Sequence, residues 1–107
     1  MKLLLDEHLP HDLRHSLTSH TVFTVTYMGW SGMANGKLLA ETAANGFDAL
    51  ITMDTGLQYE QNAATLPCAV VVLKARSNRL DDLLPLVPAL LAALPSLQPK
   101  SLVRIGT

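Results

Sequence analysis

Lys2 to Glu7 reads KLLLDE, three leucines in a row followed at once by two adjacent carboxylates. A strand with one wet face alternates apolar and polar residues, whereas an unbroken apolar run suits a strand covered on both faces. Cys68 to Lys74, CAVVVLK, repeats the pattern with β-branched residues and is the clearest strand in the chain. Strands of this kind belong to parallel sheets sandwiched between helices, so these two segments decide the expected fold class.

Outward from KLLL, strand and helix patterns alternate. Pro10 opens a short helix to about Thr18, with Leu13 and Leu17 on one side. Residues 21–28, TVFTVTYM, predict a second strand. GWSGMANG, 29–36, is a Gly-rich loop whose Asn35 is placed to cap a helix through about Ala44, closed by Asn45-Gly46. DALITM, 48–53, predicts a third strand leading to Asp54, and GLQYEQNAAT, 56–65, a short helix or turn. RLDDLLPLVPALLAAL, 79–94, is helical, with Asp81 and Asp82 in its favourable first turn and Pro88 expected to bend or restart it. SLVRI, 101–105, is a weaker last strand. The alternation predicts an α/β protein: three layers, α/β/α, around a central, mainly parallel five-stranded sheet, in one domain over 1–107.

Bulk composition narrows the function classes. Of 107 residues 49% are hydrophobic and 16% charged, enough for one well-filled core. The net charge of −1 gives no general basic field for nucleic acid, so any such binding must come from a local cluster. The single cysteine, Cys68, lies in an apolar run and reads as a buried thiol. With no disulfide partner and no signal-peptide pattern, a cytoplasmic protein is expected. The longest apolar stretch is interrupted by Pro85, Pro88 and Pro95 and is too short to span a bilayer.

Open parallel sheets bind ligands outside the carboxyl ends of their strands. Asp6 and Glu7 end the first strand, Asp54 follows the third, and Lys74, Arg76 and Arg79 follow the fourth. Asp6 and Asp54 are expected on neighbouring strands, where two carboxylates repel unless a cation or proton lies between them. Mg²⁺ or Mn²⁺ would suit that pair, and the basic cluster could hold a phosphodiester against it. Trp30 could stack on a base or pack as a lid on the sheet. The plainer alternatives are a turn role for Asp6, a solvated rim for Arg76 and Arg79, and surface positions for His11 and His15, which no third ligand completes.

The segments LLLDEHLP and GWSGMANGKLLAETAANGFDALITMDTGLQYEQN, with DE-x-LP and T-x-D-x-x-L as their most telling pieces, resemble a family of small bacterial PIN-like proteins. These are compact relatives of the PIN nuclease domain, many of them toxins beside an antitoxin. The resemblance implies Asp6 and Asp54 as metal ligands and catalytic residues, RNA as substrate, an antitoxin and a second copy as partners. The chain departs from the family at Asn35-Gly36-Lys37, where an acid often opens the helix, and at Gly56. Glu7 and Glu41 are the remaining candidate ligands, with Asn35 and Lys37 as pocket neighbours, although Lys37 and Glu41 also form an ordinary i,i+4 surface pair. Two other readings share the edge pattern: a catalytically silent binding module, and a receiver domain with Asp54 as phosphoacceptor. Against the receiver stand Lys74, where a hydroxyl is wanted, and the absence of a lysine in LVRIGT. The LLPLVPALLAAL segment is apolar all round, as deep burial or a homodimer face would require.

Overall fold

The unbroken apolar runs do form the middle of a sheet. The computed structural model describes residues 1–56 and 65–106. Within them five strands, β1 (Lys2–Leu5), β2 (Thr21–Thr24), β3 (Ala49–Thr52), β4 (Ala69–Lys74) and β5 (Leu102–Gly106), pair in the order β2-β1-β3-β4-β5. Every pairing is parallel. The molecule is therefore an α/β protein with one all-parallel sheet between two helical layers.

Alternation along the strands divides the core in two. Leu3, Leu5, Ala49, Ile51, Val71 and Leu73 face Leu13 and Leu17 of the first connection and Leu83, Leu90 and Leu94 of the last. Leu4, Leu50, Val70 and Val72 face Val25, Leu38, Leu39 and Phe47 on the other side. Cys68 belongs to this second layer, and burial pushes its thiol up to about 11. It stays protonated at neutral pH and is a packing residue.

The connections are short and partly irregular. Residues His11–Ser16 form a 3₁₀ helix after Pro10. The second strand is shorter than its β-branched residues suggest: it stops at Thr24, and Val25–Met28 form a helical turn, α1. Thr24 Oγ1 accepts the Tyr27 backbone N–H at 3.0 Å, and Gly29, at φ 76°, ends the turn. A capping hydroxyl followed by a left-handed glycine overrides the strand propensity of VTYM. Helix α2 spans Asn35–Ala44. The run 80–96 is divided at its prolines into α3 (Leu80–Leu83), a 3₁₀ turn (Leu84–Leu86), α4 (Val87–Ala93) and a last 3₁₀ turn (Leu94–Ser96). The helix or turn expected at 56–65 lies outside the described residues except for its two ends. No helix among the described residues is long and apolar enough to cross a membrane.

One topological detail sets the surroundings of the site. The β1–β2 and β4–β5 connections cover the same face but move across the sheet in opposite directions. They therefore have opposite hands, and one departs from the nearly universal right-handed crossover. As a result α2 and α1 occupy the second face without the 80–96 segment, and the α2 amino end lies over the β1–β3 exits.

Gly106 closes the sheet beside Lys74. Its φ is 101°, and a Cβ there would lie 2.2 Å from the Lys74 carbonyl oxygen. Gly36, in the first turn of α2, has open space within 4 Å of where a Cβ would stand. Gly106→Ala is expected to lower the unfolding free energy by roughly 1–3 kcal/mol. Gly36→Ala should leave it unchanged or raise it by up to about 1 kcal/mol. Urea titrations of the two variants check the contrast.

Candidate functional site: an acid pair and a basic cleft at one sheet edge

The pairing of β1 with β3 puts Leu5 beside Ile51, and the Asp6 backbone N–H continues the ladder to the Ile51 carbonyl at 2.9 Å. Asp6 thus leaves the sheet next to Thr52, on the face that carries Leu4 and Leu50. Its side chain is buried, 8% exposed. A buried carboxylate must find donors. Asp6 Oδ2 accepts the Thr52 hydroxyl at 2.7 Å, and Oδ1 accepts the Glu7 backbone N–H at 2.8 Å.

Thr52 also receives a bond. Its Oγ1 accepts the Asp54 backbone N–H at 3.0 Å, which turns the chain as it leaves β3. Asp54 Oδ1 then accepts the Gly56 N–H at 3.0 Å, and Oδ2 accepts the Asn35 side-chain amide at 3.1 Å. The two acids that sequence reasoning singled out are therefore joined through one hydroxyl that it passed over. The signal was present in T-x-D: residues two apart on a strand share a face, so the Thr faces wherever the Asp begins.

Asn35 behaves differently from its expected capping role. Ala34 is the N-cap of α2, with no side-chain cap bond, and Asn35 is the first helical residue. Its amide goes to Asp54 instead, which sets a negative charge over the amino end of the helix, where the dipole favours it. At this position an amide donates to the acid, where a carboxylate would have added charge.

The other candidates separate. Glu7 is exposed, and its Oε1 accepts the Gly32 N–H of the 29–34 loop at 3.1 Å. Glu41 lies about 9 Å further along the α2 axis than Asn35, toward the opposite edge of the sheet. Lys37 is exposed in the first turn of α2. Trp30 packs edge-on against Phe47 at 6.2 Å, and Phe47 precedes β3, so the indole is drawn back over the sheet as a lid. His11 and His15 are exposed, and His15 pairs only with Asp12 among the described residues, at 3.7 Å.

Lys74 and Arg76 line a cleft of about 390 Å³ together with Met53, Thr55, Leu73 and Ala75. Met53 and Thr55 flank Asp54 in the chain, but neither acid lines the cleft, and Met53 and Leu73 pack with the layer opposite the face that carries Asp6 and Thr52. Arg79 is exposed at the start of α3, and its backbone N–H goes to Ser77 Oγ at 3.1 Å. Asn78 Nδ2 donates to the His8 carbonyl at 2.9 Å and ties the β4 exit to the β1 exit. A smaller cavity, about 230 Å³, lies at the opposite edge around Phe47, Cys68 and Leu97.

Two carboxylates at one sheet edge are a donor type that a hard divalent cation accepts. Mg²⁺ is commonly held by one or two carboxylates with waters and substrate phosphate oxygens supplying the rest. Each oxygen of Asp6 and Asp54 accepts one hydrogen bond from the described residues, and a carboxylate oxygen can accept two. Among the described residues no group of three His, Cys, Asp or Glu side chains assembles a metal site.

The fold and edge define a doubly wound parallel α/β protein with carboxylates at its β1/β3 exits. No family model matches the chain, and neither the curated proteins nor the solved structures give a match.

Thr52 is fully buried. Thr52→Val keeps the shape but deprives Asp6 of a donor, and is expected to cost about 2 kcal/mol of unfolding free energy. Thr52→Ser, which keeps the hydroxyl, should cost about 1 kcal/mol for the lost methyl. Denaturant unfolding of both variants reads the difference.

Proposed function

We propose that this protein is a metal-dependent ribonuclease of the PIN-like kind, acting on RNA phosphodiesters at the carboxyl edge. One observation carries the reading: the Asp6 carboxylate and the Asp54 backbone N–H, from adjacent strands, meet at the Thr52 hydroxyl on the sheet edge that also carries Lys74 and Arg76. In this reading Asp6 and Asp54 hold Mg²⁺ or Mn²⁺, which would supply an acidified water and charge neutralisation at the phosphate. Thr52 fixes the orientation of the Asp6 carboxylate, and Asn35 holds that of Asp54. Lys74 and Arg76 neutralise the RNA backbone, and Arg79 extends the positive rim.

A silent RNA- or protein-binding module is the second reading. It is favoured by the hydrogen bonds already made by all four carboxylate oxygens and by an amide at Asn35 in place of an acid. The receiver reading loses support from topology. A sheet of this strand order with uniformly right-handed crossovers would place the β4–β5 connection on the α2 face. Here it packs on the other face.

The test is cleavage of a mixed RNA pool with Mg²⁺ or Mn²⁺. Parent protein should cut, chelator should stop it, and Asp6→Asn and Asp54→Asn should each reduce the rate at least a hundredfold. Equal rates in parent and folded variants would exclude the acid pair from the chemistry, and an inactive parent that binds RNA would leave the silent module.

Partners follow from the same reading. A toxin of this class would meet an antitoxin over the cleft and act as a dimer in the cytoplasm. The 80–96 segment buries Leu83, Leu90 and Leu94 on the sheet but exposes Leu84, Pro85, Pro88, Ala89 and Ala92. That outer side is the proposed surface for a second copy. Sedimentation equilibrium should show association across the micromolar range; a monomer throughout would end the dimer proposal.

A further inference from the structure

We infer that the cleft beside Asp54 is a seat for one unpaired nucleotide, with base on its apolar floor and phosphate at its basic rim. The inference rests on the RNA reading above and specifies what enters the edge. The lining is divided by chemistry. Met53 and Ala75 are half-buried and pack against the hydrophobic layer that contains the buried Leu73, and they supply the apolar floor. Lys74, Arg76 and Thr55 supply two cations and a hydroxyl. A nucleotide has the same division, an apolar base face joined to an anionic phosphate.

Size and charge choose among occupants. A cleft of about 390 Å³ falls at the small end of ligand sites. A base pair within a duplex presents only its edges to a protein, whereas an unpaired base can be turned out to lay its face on a side chain. The thioether of Met53 is a polarisable partner for an aromatic ring. The chain as a whole has a charge of −1, so attraction of a phosphate depends on the local pair Lys74 and Arg76. Lys74 cannot be displaced easily: it is the last residue of β4 and is paired in the sheet with Gly106. The shared chemistry is a nucleoside monophosphate unit, which a free nucleotide or a single-stranded RNA could present.

The experiment separates these sources and does not require cleavage. Native protein in chelator, labelled with ¹³C at its methionine methyls, is titrated with a short unstructured oligoribonucleotide, a blunt RNA hairpin, AMP, ribose 5-phosphate and inorganic phosphate. The Met53 resonance is assigned through Met53→Leu. The single strand should move the Met53 methyl and leave that of Met1 in place, bind at least tenfold more tightly than the hairpin, and exceed ribose 5-phosphate. AMP binding as tightly as the oligonucleotide assigns the cleft to free nucleotides; tighter oligonucleotide binding assigns it to RNA. The salt dependence should follow a slope near −0.7 if the rim neutralises one phosphate of the single strand, and near −1.4 if Lys74 and Arg76 each neutralise one of two successive phosphates. The Lys74→Ala/Arg76→Ala variant, shown folded by circular dichroism, should lose at least tenfold in affinity and most of that slope. A silent Met53 methyl, hairpin binding equal to single-strand binding, or unchanged affinity in the variant would each overturn the inference. Cleavage by a protein whose cleft stays silent would sink this inference alone, and occupancy without cleavage would sink the nuclease reading alone.

Discussion

A buried carboxylate governs the architecture of the carboxyl edge. Asp6 is held inside the protein by a hydroxyl on the neighbouring strand and a backbone amide, and without such donors a charge at this depth would cost several kcal/mol. The Thr52 hydroxyl both donates to Asp6 and accepts from the Asp54 amide, so the orientation of one acid is coupled to the path of the backbone that bears the other. The coupling extends to α2 through Asn35 and to the β1 exit through the ladder bond from Asp6 to Ile51. Three elements distant in sequence are thereby fixed around a few atoms.

This arrangement divides the edge by charge. Asp6, Thr52 and Asp54 gather on the α2 side, where a helix amino end tolerates negative charge. Lys74 and Arg76 line the cleft one strand further on. Because the 80–96 segment covers the opposite face, it leaves the α2 side of the edge clear and roofs the layer below the cleft. The unusual hand of one crossover thus decides which face of the sheet stays clear at this edge.

What the sequence made legible was the part that depends on pattern. Unbroken apolar runs marked β1, β3 and β4, the prolines at 85, 88 and 95 marked the broken helical segment, and strand succession placed Asp6 near Asp54. What it hid depended on competition among local partners. TVFTVTYM has strand propensity throughout, yet the Thr24 hydroxyl satisfies a helical N–H and turns the chain after four residues. Asn35 has the capping residue's chemistry, yet its amide goes to a carboxylate brought in by β3. Trp30, for which the sequence offered base stacking or a lid on the sheet, packs on Phe47 as the second of these. The side of the sheet taken by 80–96 was equally beyond reach, because an apolar helix can bury itself on either face.

The amide at Asn35 has a consequence for how the proposed site would work. A carboxylate there would have raised the negative charge available to a cation; an amide instead consumes an Asp54 lone pair and leaves two acids to hold the ion. Two acids alone bind Mg²⁺ weakly, and substrate phosphate oxygens commonly complete its shell. Metal and RNA would then strengthen each other's binding by the same factor, as linkage demands. In that proposal Lys74 and Arg76 would hold a phosphate at the same sheet edge before the ion arrives, so that cation and anion would offset the charge of the two halves of the edge.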